Sequence, residues 1–193
     1  RSGVVTLILA GVAINSLAGA LTTLVLNLSP NPFAAYEIFF WLMGSLADRS
    51  LDHVALAAPF MVLGWILLLS IARALDALSL GEDVAASLGF NLAGVRLRVV
   101  LGTALAVGAA VAVSGVIGFV GLMVPHLLRP LVGQQPARLL LASALGGAVL
   151  LLAADIGVRL LTTASELKLG VVTALLGAPF FFWLLLRTRR SLT

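Results

Sequence analysis

Few side chains in this sequence can do chemistry. Among 193 residues there are eight acids, two histidines and no cysteine, against 61% hydrophobic residues. Without cysteine there is neither a disulfide nor a thiolate ligand, and His53 and His126 stand too far apart in sequence to suggest a metal site. Ser114-Gly115 with His126 offers a hydroxyl and a base, the beginnings of an intramembrane serine hydrolase, yet nothing nearby supplies an oxyanion hole or a substrate cleft. Asp155 or Glu166 could carry a proton in an ion-coupled secondary transporter. Both, however, fall at the ends of apolar runs, where protonation would not gate a path. Asp155 and Arg159 are four residues apart, so they share a helical face and can pair. Gly115, Gly118 and Gly121 recur every three residues without the Lys-Ser/Thr ending of a phosphate-binding loop, so no nucleotide site is expected there.

Whatever these groups do, helices in lipid must position them. Only 10% of the residues are charged and the mean hydropathy is +1.16, far from the mixture of a soluble domain. Charge-free apolar runs cover residues 2–35, 54–72, 99–128 apart from His126, 139–154 and 169–186. At roughly 20 residues per crossing these runs hold about six helices, the third being divided by SGVIGFVG. Strand alternation is absent, so the expected fold is all-α, a polytopic helical membrane protein treated as one domain over residues 1–193. No secretory signal pattern opens the chain, and residue 1 is Arg, which suggests a fragment.

Basic residues orient the helices. With the first residue inside and six crossings, Arg1, Arg73, Arg96, Arg98, Arg129, Arg138, Arg187, Arg189 and Arg190 lie in the cytoplasm, leaving Arg49, Arg159 and Lys168 outside. Both ends are then cytoplasmic. A nucleic-acid partner has no basic stripe or stacking platform to support it.

The first span gathers Gly11, Asn15, Gly19, Thr22 and Asn27 loosely on one face. That face could line a polar pathway, or it could pack closely against another helix through small residues and hydrogen-bonded amides. Ser29-Pro30-Asn31-Pro32 stops this helix, and residues 33–46, with Tyr36 and Trp41 and with Arg49 nearby, read as a short interfacial helix. Pro125 should kink the fourth span, where His126 reads more readily as a structural residue than as a ligand.

A polar island at residues 78–98, LSLGEDVAASLGFNLAGVRLR, interrupts the lipid-compatible sequence on the cytoplasmic side. Ser79-Leu80-Gly81-Glu82 matches the S-x-x-E capping box, in which the Ser and Glu side chains satisfy each other's amides. Glu82 and Asp83 place negative charge at the positive end of the helix dipole. The helix should run over residues 80–88 and stop at Gly89, the residue type suited to a left-handed C′ position, and Asn91 can cap the next helix. Caps alone would also fit an ordinary structured loop.

Several pieces together resemble a known family. LAGVA at 9–13, FWLMGSL at 40–46, LSLGEDVAASLG at 78–89, GFVGLMVPHLLR at 118–129, LLAAD at 151–155 with Arg159 after it, and ELKLGVVTALLGAPFFFWLL at 166–185 follow one another in the order of the FecCD-type permeases. These are the transmembrane subunits of type II ABC importers for ferric siderophores, haem and vitamin B12. The resemblance implies a permease of ten helices in the bacterial inner membrane, of which this chain resembles helices five to ten, the first four being absent. It implies a second permease subunit, identical or paralogous, two cytoplasmic ATPase subunits that bind ATP and Mg, and an external solute-binding protein. No catalysis and no cofactor are expected on this chain.

By the same resemblance, residues 78–94 form the segment that couples to the ATPase, with Ser79, Gly81, Glu82, Asp83, Ala85 and Gly89 matching the pattern. Glu82 is then expected to hold the helix end as a cap rather than to reach a partner. Arg159 matches an external Arg that receives an acidic residue of the binding protein, and Lys168 stands where the family commonly has Pro. Asn15, Gly19 and Thr22 match the helix lining the translocation path, and Gly3, Val4 and Val5 match the region of the cytoplasmic gate.

Overall fold

A computed structural model describes the backbone of residues 2–160 and 167–190, and every regular element among them is a helix. In chain order these are α1 (Ser2–Leu28), α2 (Pro32–Leu42), α3 (Leu51–Ser70), α4 (Ala72–Leu78) and α5 (Glu82–Ser87). Then follow α6 (Leu92–Ser114), α7 (Val120–Val132), α8 (Pro136–Leu160) and α9 (Leu169–Arg190). The chain divides into two compact units, residues 1–41 and 42–193.

In the first unit, α1 is a 27-residue apolar helix that ends before the Pro-rich turn, as expected. Asn31 Oδ1 accepts from the Phe33 amide at 3.0 Å and so caps α2, which opens on Pro32, a residue whose missing N–H costs nothing at that position. Tyr36 and Phe40, one turn apart on α2, bring their ring centroids to 4.5 Å.

In the second unit α3 and α6 form the most extensive helix pair, and small residues set how closely they approach. A Cβ on Gly64 would stand 2.6 Å from the Gly102 carbonyl oxygen, so the two backbones touch where neither helix carries a side chain. Such contact through small residues suits lipid, where burying apolar side chains against one another gains little over leaving them in acyl chains. α7 packs on α8 and both contact α9. His126 of α7 lies edge-on to Phe180 of α9 at 6.0 Å, in keeping with a structural role. Large apolar side chains such as Leu63, Trp65 and Ile66 of α3 and Leu145, Val149 and Leu152 of α8 stay exposed, as lipid-facing residues do.

Among the described residues, four helices, 5–28, 51–70, 92–114 and 136–160, are long and apolar enough to cross a membrane. The six helices expected from the apolar runs are all present, α1, α3, α6, α7, α8 and α9, and α7 is the shortest of them. α7 has 13 residues, which at 1.5 Å per residue gives roughly 20 Å, short of the hydrocarbon thickness. SGVIGFVG does divide the third run as expected, but Gly115 to Phe119 stay irregular, with Phe119 in the left-handed region at φ 65°. Part of this backbone and its neighbours find partners within the protein. The Val116 amide donates to the Leu42 carbonyl at 3.3 Å and the Ser45 amide to that of Ser114 at 2.8 Å. The Gly170 amide donates to the Gly44 carbonyl at 3.0 Å. Three segments distant in sequence thus meet at the C-terminal end of α6 through backbone hydrogen bonds.

Candidate functional site: the α4–α5–α6 turn

α3 does not run straight into the polar island. Ile71, at φ −102° and ψ 5°, breaks the helix, and α4 then carries the chain to Leu78. Ile71 and Ala74 are buried with Val95 of α6, and Leu75, Leu78, Phe90 and Val99 pack around them. This small apolar cluster anchors both flanks of α5.

The expected capping box does not form. Ser79 has αR geometry, φ −65° and ψ −20°, and ends α4 instead of opening α5. A helix-opening cap needs extended geometry, and the Ser79 hydroxyl is already committed backwards, donating to the Asp76 carbonyl at 2.6 Å. Gly81 precedes α5 with φ 120° and ψ 154°, a region open in practice only to glycine. Glu82 is therefore the first helical residue, two positions too early to reach back as a box partner. Its carboxylate instead accepts from Arg96 of α6 at 2.8 Å, an ion pair across the turn. Glu82 is thus not the cap that was expected; its carboxylate pairs with Arg96 within the chain. Asp83 follows it in the first turn and is exposed.

The far end of α5 follows the sequence expectation. Gly89 takes φ 87°, its amide donates to the Ala86 carbonyl at 3.0 Å, and the Phe90 amide donates to the Ala85 carbonyl at 3.2 Å. These two bonds are the pair that defines a Schellman motif. Asn91 then caps α6, its Oδ1 accepting from the Gly94 amide at 3.1 Å. α5 is six residues long, shorter than the expected 80–88 because Leu80 and Gly81 belong to the preceding turn and Leu88 to the cap.

A helix this short is rigid only because of its surroundings. Ala85 is fully buried beneath it, while Leu80, Val84 and Leu88, four residues apart, are 69%, 40% and 61% exposed. The turn therefore presents three apolar side chains outward from a base held by the apolar cluster, the Glu82–Arg96 pair and the Gly89 cap.

One contact escaped the sequence reading. Asp76 Oδ1 accepts from the Ala137 amide at 2.9 Å, 61 positions away, tying α4 to the N-terminus of α8. Arg96 was likewise read only as an orienting charge, because no local pattern links it to Glu82 fourteen residues earlier.

The remaining expected residues lie elsewhere. Arg159, in the last turn of α8, donates through Nε to Asp155 at 2.8 Å, and its side chain is 60% exposed. Glu166 lies outside the described residues. Asn15, Gly19 and Thr22 share a face of α1, where the Thr22 hydroxyl donates to the Ala18 carbonyl at 2.9 Å. Gly3 and Val4 fall in the first turn of α1 with their side chains outside the description, and Val5 follows them, exposed. The Ser114 hydroxyl donates to the Ala110 carbonyl at 2.8 Å, an ordinary helical back-bond.

Comparison with known proteins matches residues 1–187 to the FecCD transport family. The hemin transport system permease protein HmuU of Yersinia pestis is 44% identical over 185 residues, covering 96% of this chain and 55% of that protein. The vitamin B12 import system permease protein BtuC of Vibrio cholerae is 46% identical over 186 residues, with the same coverage. The Fe(3+) dicitrate transport system permease protein FecD of Escherichia coli is 40% identical over 183 residues, covering 95% of this chain and 57% of that protein. Among solved structures, an inward-facing ABC transporter of metal-chelate type superposes with a TM-score of 0.84 at 37% identity, covering 94% of this chain and 58% of that one. The chain thus spans a little over half the length of the relatives it matches.

Proposed function

Because this chain belongs to the FecCD transport family, we propose that it is part of the permease subunit of an ATP-driven importer in the bacterial inner membrane. Its cargo would be a ferric siderophore or, as in relatives named for them, haem or cobalamin. The observation that carries this reading is the braced turn at α5. A six-residue helix with a Schellman cap, a buried Ala85 and an ion pair to α6 has no evident use as a plain connection. Its exposed Leu80, Val84 and Leu88 suit a cleft on a second protein.

In this reading the partner is an ATPase dimer that binds ATP and Mg, and residues 78–94 dock on it in the cytoplasm. Ser79 and Gly81 set the approach to the lever, Ala85 and Gly89 seat and end it, Glu82 ties it to α6, and Asp83 faces the partner. Closure of the ATPase moves the lever, and the packed helices reorient with it. Arg159 receives an acidic group of an external binding protein, held in orientation by Asp155. Asn15, Gly19 and Thr22 line the path, against a second permease subunit, and Gly3, Val4 and Val5 close it by packing on the cytoplasmic side.

The test is uptake by liposomes carrying the whole permease with its ATPase, supplied with loaded binding protein. Uptake that requires internal ATP and persists with uncoupler supports the proposal. Uptake that collapses with uncoupler while ATP is held constant overturns it in favour of ion-coupled transport.

A further inference from the structure

α8 begins without a cap of its own. The residues before it are Gln134 and Gln135, and its first residue is Pro136, so no Ser, Thr, Asp or Asn stands where a helix of 25 residues needs one. Pro136 has no N–H, which makes the Ala137 amide the first donor of the helix. That amide is satisfied from another element, by Asp76 Oδ1 at 2.9 Å in a half-buried setting. A carboxylate there meets both the unpaired donor and the positive end of the α8 dipole.

Asp76 is also tied to the lever. Its own carbonyl accepts the Ser79 hydroxyl at 2.6 Å and the Ser79 amide at 3.2 Å, immediately before Gly81 and α5. Its neighbours Leu75 and Ala77 belong to the buried side of α4, Leu75 packing on the Ile71–Ala74–Val95 cluster. One residue therefore joins the base of α5 to the start of α8. At the other end of α8, 22 residues on and roughly 33 Å away at 1.5 Å per residue, stand Asp155 and Arg159.

We propose that Asp76 is a positioning residue that makes α4–α5 and α8 move as one body, so that a displacement at the lever reaches the Arg159 end of the membrane along a single helix. This rests on the proposed importer function. α6, joined to α5 through Glu82–Arg96, supplies the other attachment, and a lever held at two points transmits rotation as well as translation. Loss of the Asp76 contact frees the α8 N-terminus while leaving the α5 surface unchanged. ATP is then hydrolysed with less solute moved.

The experiment uses the whole permease assembled with its ATPase and binding protein in liposomes, with Asp76→Ala and Asp76→Asn. Solute moved per ATP should fall about tenfold in Asp76→Ala, the order expected for losing a charge-assisted hydrogen bond, with basal ATPase activity retained. Asp76→Asn keeps an acceptor oxygen and should fall between Asp76→Ala and the unmodified permease. In parallel, spin labels at Arg73→Cys of α4 and Arg138→Cys of α8, both exposed positions outside residues 78–94, in a permease whose other cysteines have been replaced, report the α4–α8 separation. In the unmodified Asp76 background this separation should stay at one value with and without ATP, and in Asp76→Ala it should broaden. A separation that changes with ATP in the Asp76 background, or an unchanged solute-to-ATP ratio in Asp76→Ala, overturns the inference. The label distance in the Asp76 background decides it even if Asp76→Ala does not assemble. Absence of ATP-driven uptake by the unmodified permease would instead overturn the importer reading on which the inference rests.

Discussion

The Glu82 carboxylate and the Arg96 guanidinium meet at 2.8 Å across the α5–α6 turn, with both side chains partly in solvent. An exposed pair of this kind contributes only about 0.2–1 kcal/mol to stability. Its use is therefore in fixing the direction of α5. Glu82→Ala and Arg96→Ala should leave the amount of folded permease almost unchanged while lowering transport per ATP hydrolysed. The exchange Glu82→Arg with Arg96→Glu should recover part of the loss. Failure of the exchange to recover any coupling would mean that Glu82 acts on the partner and not on Arg96.

Two glycines bracket α5, and they should not respond alike. Gly89 at φ 87° occupies the left-handed region, where alanine costs about 1–2 kcal/mol and asparagine less. Gly81, at φ 120° and ψ 154°, sits where a side chain is hardly accommodated, at a cost of about 1–3 kcal/mol. Coupled uptake should thus decline in the order Gly89→Asn, Gly89→Ala, Gly81→Ala, with nucleotide hydrolysis surviving in each. Equal activity across the series would show that the backbone here relaxes freely.

The α3–α6 contact predicts a loss of stability. A Cβ at Gly64 would lie 2.6 Å from the Gly102 carbonyl oxygen, whereas one at Gly108, on the same partner helix, meets nothing within 4 Å. Overpacking of this order costs about 1–3 kcal/mol. Gly64→Ala should lower the melting temperature of the detergent-solubilised permease and Gly108→Ala should not, as followed by a thermal-shift assay.

At the far end of α8, Asp155 holds Arg159 through Nε, leaving the side chain 60% exposed. Arg159→Glu should slow association of the binding protein, most visibly at low salt, where charge steering is strongest. Asp155→Ala should have a smaller effect in the same direction, through lost orientation. Association rates measured across an ionic-strength series separate the two, and an Arg159→Glu permease with an unchanged salt dependence would remove Arg159 from the docking surface.

The parts legible in the sequence are those whose chemistry is local. Gly89 and Asn91 announce their caps because a left-handed C′ residue and an extended N-cap act within four positions of themselves. Ser79 misled for the same reason. The S-x-x-E window is correct chemistry, but it does not register that α4 runs on to Leu78 and claims the Ser79 hydroxyl first. The Asp76–Ala137 bond joins positions 61 apart, and no periodicity carries such a partner. α7 is shorter than its apolar run because residues 115–119 are as apolar as a helix while folding irregularly, and hydropathy measures only the former.

The crossing of Leu42–Ser45, Ser114–Val116 and Gly170 has a consequence in time. Its third member belongs to the start of α9, so during synthesis its bond waits for α9, long after the first two segments have been made. During that interval the Gly44 carbonyl awaits the Gly170 amide. The close fit of α3 on α6 can hold the first two segments near each other, and docking of α9 supplies the third partner.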